Sequence, residues 1–402
     1  MRAVAPRLSF AQAASGLLGG AYTPFFGAWL AWKGLSPGEI GALMAAAMLL
    51  RVIVSPFTGI IADAHNDRRA MMLALYAVVF AGYAALNGAG AVTLIFLAAV
   101  PANIATGSIT PLLESVSVRL ADRFGFDYGH VRLWASTLFV IGNVASGVAV
   151  SLWGMIVIAP WLAVSAGLGL FAVYALPRPP ARAPKSDLGL RMRATLAEAR
   201  ELLRSRVFVI FLLAASFDQG SHAFYYGYGG LHWRQIGYSG TLIGILWPLG
   251  VLAEIALMSM SLKVFRALGS TRLLLLGGLG CLLRWSILGL DPPLPFVVFA
   301  QFLHGATFAL AHLGAMYFIL KAVPPRLAAT AQSLYAVGSS GIVMGLATLA
   351  SGPLYAQFGG RTYFLMAAMG LMAAIFAFAL GRSWGGERIT AHAATDEIGD
   401  TI

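Results

Sequence analysis

A set of ionisable side chains stands where an apolar chain should have none. Arg51, Glu114, Asp218, His222, Glu254, Arg284, His304 and His312 lie inside apolar runs, and Arg132 stands near the start of one. A charge at the centre of a bilayer costs on the order of 2.5–3.5 kcal/mol even on the lenient insertion scale, so such groups face a bundle interior or a wet cavity. An arginine stays protonated and offers a planar fork to a carboxylate or to vicinal hydroxyls, which makes Arg51 and Arg284 candidates to hold an anion. A carboxyl group in low dielectric can carry a proton, which makes Glu254, Glu114 and Asp218 candidates. Histidine relays protons or donates to a ligand. His304 and His312 share one helix face, two turns apart. Any one of these groups alone reads equally as a structural clamp, but together they mark a polar path through apolar helices.

A second cluster is aromatic. The run HAFYYGYGG, from His222 to Gly230, continues into His232 and Trp233. His222, Tyr225 and Tyr226 are candidate substrate contacts, although rings with polar tips also anchor helices at membrane surfaces. Gly227, Gly229 and Gly230 would let the helix bend or let a neighbour pack closely.

The elements that position these groups follow from composition. The 402 residues are 59% hydrophobic and 11% charged, against roughly 25% charged residues in a soluble domain. That excludes a cytosolic enzyme, a secreted disulfide scaffold and a disordered tail protein. Cys281 is the one cysteine, so no intrachain disulfide forms. Apolar segments of bilayer length, about 20 residues, are read at roughly 8–32, 38–62, 70–87, 91–117, 129–152, 155–176, 207–230, 239–262, 271–290, 294–320, 329–351 and 361–381. The first lacks a small-residue cleavage site and reads as a retained helix.

A polar connector, 177–206, separates an N-terminal six-helix bundle (1–176) from a C-terminal one (207–381), followed by a tail, 382–402. The connector opens on PRPPARAP and ends in LRMRATLAEARELLRSR, which reads as an amphipathic surface helix. With both termini in the cytoplasm, the Lys and Arg outside the spans fall on the cytoplasmic side except Lys33, Arg234 and Arg361. This bias orients the chain, with both termini on the cytoplasmic side of the membrane. It also absorbs the net charge of +11 without a nucleic-acid partner.

The chain repeats itself. GLSPGEIGALMAAAMLLR from Gly34 aligns with GYSGTLIGILWPLGVLAE from Gly237, pairing Gly34 with Gly237, Ser36 with Ser239, Ile40 with Ile243 and Gly41 with Gly244. The same offset sets Arg51 over Glu254 and Arg69 over Arg272. An even number of spans per half makes the repeats parallel, as in major facilitator transporters, whose site lies at the midplane between the halves. The expected fold is therefore an all-α membrane protein of twelve transmembrane helices in two parallel six-helix repeats. No nucleotide-binding loop and no His/Cys cluster of metal-ligand spacing occurs, so no enzyme, no cofactor and no metal is expected.

The loop GIIADAHNDRR from Gly59 resembles the loop signature of the major facilitator superfamily, with Gly59, Asp63, Arg68 and Arg69 matching and Ala64 and Asn66 departing from it. Asp63, Arg68 and Arg69 are accordingly gating candidates. FDYGHVRLWAS (126–136), QGSHAFYYGY (219–228), YSGTLIGILWPLGVLAE (238–254) and LHGATFALAHLGAM (303–316) resemble the bacterial phenylpropionate permease family, proton symporters related to lactose permease. That resemblance implies sugar-type contacts for Glu114 and Arg132, a coupling role for Glu254, and a helix 9 arginine and helix 10 histidine in Arg284 and His304. It breaks at Thr307, where a coupling glutamate is expected, at Phe139, where a tryptophan is expected, and at Gln301, where a lysine should partner Asp218.

The reading that results is proton-coupled uptake of a small organic acid, an aromatic carboxylate such as 3-phenylpropionate, by a monomer in the lipid bilayer. A proton-coupled sugar or nucleoside symporter through Glu114 and Arg132 is the alternative. A drug antiporter fits less well because helix 5 lacks the Gly-x-x-x-Gly-Pro signature. A non-transporting sensor would have little use for so many intramembrane charges.

Overall fold

The structure is a computed structural model that describes residues 4–64, 67–177 and 188–389. Among the described residues it is helical throughout, and ten segments are long and apolar enough to cross a membrane. The last of these, Pro325–Ser383, is two spans, because Gly359 leaves the helix at φ 56° and a 3-10 turn, Gly359–Thr362, restarts it. The first helix, with 29 residues, has the length of a span.

Numbered as spans, the N-terminal bundle comprises α1 (Val4–Trp32), α2 (Pro37–Ala64), α3 (Arg68–Leu86), α4 (Val92–Phe124), α5 (Tyr128–Trp153) and α6 (Ile158–Tyr174). A connector helix, Leu188–Arg204, follows. The C-terminal bundle comprises α7 (Arg206–Gln235), α8 (Gly240–Met258), α9 (Ser261–Leu288), α10 (Leu294–Ala322), α11 (328–358) and α12 (Tyr363–Ser383). Three ends depart most from the sequence reading, among them the end of α11 at Phe358. α4 runs on to Phe124 through an amphipathic extension that ends at Gly125, in the left-handed region at φ 68°. α9 begins early with a short helix that breaks at Gly269, φ 73°.

The internal repeat is visible in the backbone. Gly34 and Gly237 both adopt positive φ, 91° and 97°, at the turns that open α2 and α8. Ser36 and Ser239 cap the helices that follow. The Ser36 amide donates to Glu39 Oε2 at 2.8 Å and the Glu39 amide donates to Ser36 Oγ at 3.3 Å, while Ser239 Oγ accepts from the Leu242 amide at 3.1 Å. Ile40 and Ile243 are both fully buried.

Gly41 and Gly244 both lie where the two bundles touch, the first against α11 at Thr348 and the second against α5 at Asn143. The bundles meet at one end, that of the loops after α1, α5 and α7. Gly230 lies so close to α1 that a Cβ would stand 1.7 Å from the Pro24 carbonyl oxygen, and one on Gly27 would stand 2.0 Å from that of Gly227. Small residues allow this approach. Tyr228 donates its hydroxyl proton to the Pro37 carbonyl at 2.7 Å, and Thr241 Oγ1 lies 2.9 Å from Ser151 Oγ. Toward the opposite end, which carries the connector helix, Leu133 and Trp134 of α5 and Leu252 and Ile255 of α8 are exposed. The contacts at the loops after α1, α5 and α7 seal the molecule at that end.

Candidate functional site

Between the bundles lies a cavity of about 260 Å³. Its N-terminal wall is Thr23 of α1 and Phe139 of α5; its C-terminal wall includes Tyr225, Tyr226, Trp247, Glu254, Arg284, His304 and Phe308. The helices that supply these side chains are irregular at the site. α7 widens to a π-helix over Tyr225–Gly229 and α10 over Gly305–Leu310, a distortion frequent at functional sites. Pro248 interrupts the backbone ladder of α8 beside Trp247. Trp247 stacks on Tyr225 with ring centroids 4.3 Å apart.

Arg284 is the centre of the arrangement and has no exposed surface. Its Nη1 lies 2.8 Å from His304 Nδ1 and donates to Thr307 Oγ1 at 3.2 Å; its Nη2 donates to Gln301 Oε1 at 3.2 Å. The guanidinium also lies over the rings of Trp285 at 4.4 Å and Tyr225 at 4.9 Å. Each of these neighbours is a neutral acceptor or a π face, since an arginine beside His304 Nδ1 makes that nitrogen the acceptor. Among the described residues no acidic side chain lies within ion-pair distance of Arg284. Its Nε is buried without a hydrogen-bond partner.

A polar series runs outward from this arginine. With Nδ1 of His304 accepting, the ring carries its proton on Nε2, which lies 4.0 Å from Glu254 Oε2. His222, fully buried, joins from the other side. Its Nδ1 meets the Asp218 carbonyl at 3.2 Å and its Nε2 meets Thr307 Oγ1 at 3.2 Å. The two histidine rings are 5.5 Å apart. His304, Phe308 and His312 stack as a ladder along α10, with centroid spacings of 5.3 Å and 6.1 Å.

The structure gathers part of the sequence-derived set and leaves part elsewhere. Tyr225, Tyr226, Glu254, Arg284 and His304 line the cavity, and His222 abuts it through Thr307. His312 lies two turns farther along α10, beside Tyr335. Asp218 is 1% exposed, with Oδ1 3.5 Å from Cys281 Sγ and Oδ2 without a hydrogen-bond partner. Arg51 sits on the α2–α11 contact, where its Nη2 donates to the Ser340 carbonyl at 3.2 Å. Glu114 and Arg132 pair with each other at 2.7 Å, Tyr128 donates to the same carboxylate, and neither lines the cavity.

Of the gating candidates, the Asp63 side chain lies outside the described residues. Arg68 donates to Ser115, and Arg69 Nε donates to the Val173 carbonyl at 3.2 Å. Thr307 and Gln301 entered the sequence reading only as departures from a pattern. Their use as hydrogen-bond partners of Arg284 shows in the i, i+3 and i+6 spacing of Gln301, His304 and Thr307 on α10.

The description "MFS_1 like family" covers a sequence profile that matches residues 15–366. The chain belongs to this family. It is 31% identical over 360 residues, 88% of its length and 92% of the relative's, to the probable 3-phenylpropionic acid transporter of Escherichia coli (strain K12). It is 30% identical over 325 residues, 80% of its length and 79% of the relative's, to the maltose permease of Geobacillus stearothermophilus. The crystal structure of the nucleoside transporter NupG shares the fold, with a TM-score of 0.78 at 17% identity over 94% of this chain and 98% of the other. The protein is a multi-pass secondary transporter of the major facilitator type and not an enzyme. Its fold is the one expected from the repeat.

Proposed function

We propose that this transporter couples inward movement of a small aromatic carboxylate, such as 3-phenylpropionate, to movement of a proton. The observation that carries the reading is Arg284, a fully buried guanidinium held by neutral groups in a cavity framed by Phe139, Tyr225, Tyr226, Trp247 and Phe308. A buried charge that lacks a partner in the protein is costly unless a ligand supplies one. A carboxylate would give Arg284 its counter-charge while the attached ring packs on the aromatic wall. An apolar cavity of about 150 Å³ accommodates benzene, so 260 Å³ suits a ring with a short acid chain. The name of the Escherichia coli relative supports the same substrate class.

Glu254 is the proposed proton carrier, with Asp218 the second candidate. Glu254 borders the cavity and faces the protonated nitrogen of His304, so its charge state is sensed by the group that holds Arg284. The remainder of the reading is a monomer in a bacterial inner membrane, both termini and the connector helix cytoplasmic. In that orientation the sealed end faces outward, and alternating access rocks the two bundles about the cavity.

The names of two relatives favour a second reading, proton-coupled uptake of a sugar or nucleoside. It assigns recognition to Glu114 and Arg132, which satisfy each other away from the cavity. Thermal-shift titration of the purified protein with 3-phenylpropionate, maltose and uridine, at two pH values, separates the readings. Stabilisation by the acid is expected; stabilisation by a neutral ligand and not by the acid would overturn the proposal.

A further inference from the structure

We infer that Gln301 sets the charge of the accepted substrate, an inference that rests on the proposed carriage of an aromatic carboxylate. Gln301 is fully buried on α10. Its Oε1 accepts from two donors, the Tyr225 hydroxyl at 2.8 Å and Arg284 Nη2 at 3.2 Å. An arginine only donates, so the carbonyl oxygen of the amide must face it, and the orientation of the amide is fixed. The other end of the amide, Nε2, is buried with no hydrogen-bond partner. Gln301 therefore uses its oxygen and leaves its NH₂ group idle.

That division has a consequence for selectivity. The oxygen positions the guanidinium without neutralising it, and Thr307 Oγ1 and His304 Nδ1 do the same from the other side. Gln301→Glu would keep the accepting oxygen and the side-chain shape, and it would lose no hydrogen bond, because the NH₂ it removes makes none. It would add one negative charge within hydrogen-bond distance of Arg284. The protein itself would then supply the counter-charge that the substrate supplies in the native site, and an incoming carboxylate would meet a neutral ion pair. Placement of Gln at this position makes the site anion-selective; placement of Glu makes it select neutral aromatic ligands.

The test compares 3-phenylpropionate with its uncharged isostere 3-phenylpropionamide, by isothermal titration calorimetry, on wild type, Gln301→Glu and Gln301→Met. Wild type is expected to prefer the acid. Gln301→Glu is expected to lose affinity for the acid by roughly tenfold or more and to favour the amide. Gln301→Met removes the accepting oxygen without adding charge; it is expected to bind both ligands less well while still preferring the acid.

Unchanged acid preference in Gln301→Glu, or an equal loss of preference in both variants, would overturn the assignment and leave the proposed function standing. A wild type that prefers the amide, or binds neither ligand, would instead overturn the proposed function. Thr307→Asp places a carboxylate on the opposite side of Arg284 and should repeat the reversal if Gln301→Glu fails to fold.

Discussion

Arg284 Nη1 and His304 Nδ1 lie 2.8 Å apart in the buried centre of the C-terminal bundle. The contact fixes the tautomer of the histidine, because a guanidinium has no lone pair to offer. The ring is thereby neutral with its proton on the nitrogen that faces Glu254, and the proposed anion-holding group and the proposed proton carrier are separated by one imidazole. In the proposed function, substrate at Arg284 and proton at Glu254 would sense each other electrostatically across this one ring, which is hydrogen-bonded to Arg284 and 4.0 Å from Glu254.

Separate loss of coupling and binding follows from that series. Glu254→Gln should retain binding and exchange of 3-phenylpropionate across proteoliposome membranes but lose accumulation driven by a proton gradient. His304→Asn should behave alike, since an amide oxygen can replace Nδ1 as acceptor for Arg284 while the link toward Glu254 is removed. Counterflow and gradient-driven uptake, measured in parallel, check this. Equal loss of both activities in Glu254→Gln would contradict the assignment.

Arg284→Lys keeps the charge but cannot span Gln301, Thr307 and His304 together. Charge-assisted hydrogen bonds contribute about 1.5–3 kcal/mol each, so affinity for the acid should fall roughly tenfold or more. Arg284→Ala leaves the same three acceptors without their donor and should also lower the melting temperature. Calorimetric titration and thermal unfolding in one detergent distinguish the two effects.

The sealed end is open to a direct test. Ser151 and Thr241 face each other across α5 and α8, with side-chain oxygens 2.9 Å apart. Ser151→Cys with Thr241→Cys should form a disulfide under mild oxidation, and transport should stop until reductant is added. Cys281 is buried and should not interfere. Gly230→Val should slow the cross-link, because the Pro24 carbonyl occupies the space its side chain needs.

The connector helix is held to the turn before α11 by Glu201 and Arg326, with an Nη1–Oε2 contact of 3.0 Å. The arginine of this pair is exposed, and exposed ion pairs contribute about 0–1 kcal/mol. Glu201→Ala should leave the melting temperature within a few degrees of wild type. A large drop would show that the connector helix contributes to the stability of the bundle.

The fold was legible because bilayer length and the repeat leave few alternatives. Gly34 and Gly237 mark equivalent positive-φ turns, and glycine accepts that conformation without strain. The site was legible only in part. Buried charge flagged Arg284, Glu254 and His304, since an ionisable group within an apolar run stands out. The same signal flagged Glu114 and Arg132, which form an ion pair of their own, and Arg51, which holds a helix contact. Residue type cannot tell a charge aimed at a cavity from one satisfied by its neighbour. Thr307 and Gln301 are neutral, and their part emerges once the helix brings them round Arg284. The widening of α7 and α10 to π-helices has no signature in periodicity.

Accumulation of radiolabelled 3-phenylpropionate in proteoliposomes under an imposed inward proton gradient tests the central claim most directly. Protein-free liposomes provide the baseline for passive entry of the undissociated acid. Uptake well above that baseline, abolished by a protonophore and by Glu254→Gln, is the predicted result. Uptake equal to the baseline, or an excess that survives collapse of the gradient, would contradict proton-coupled carriage of an aromatic acid.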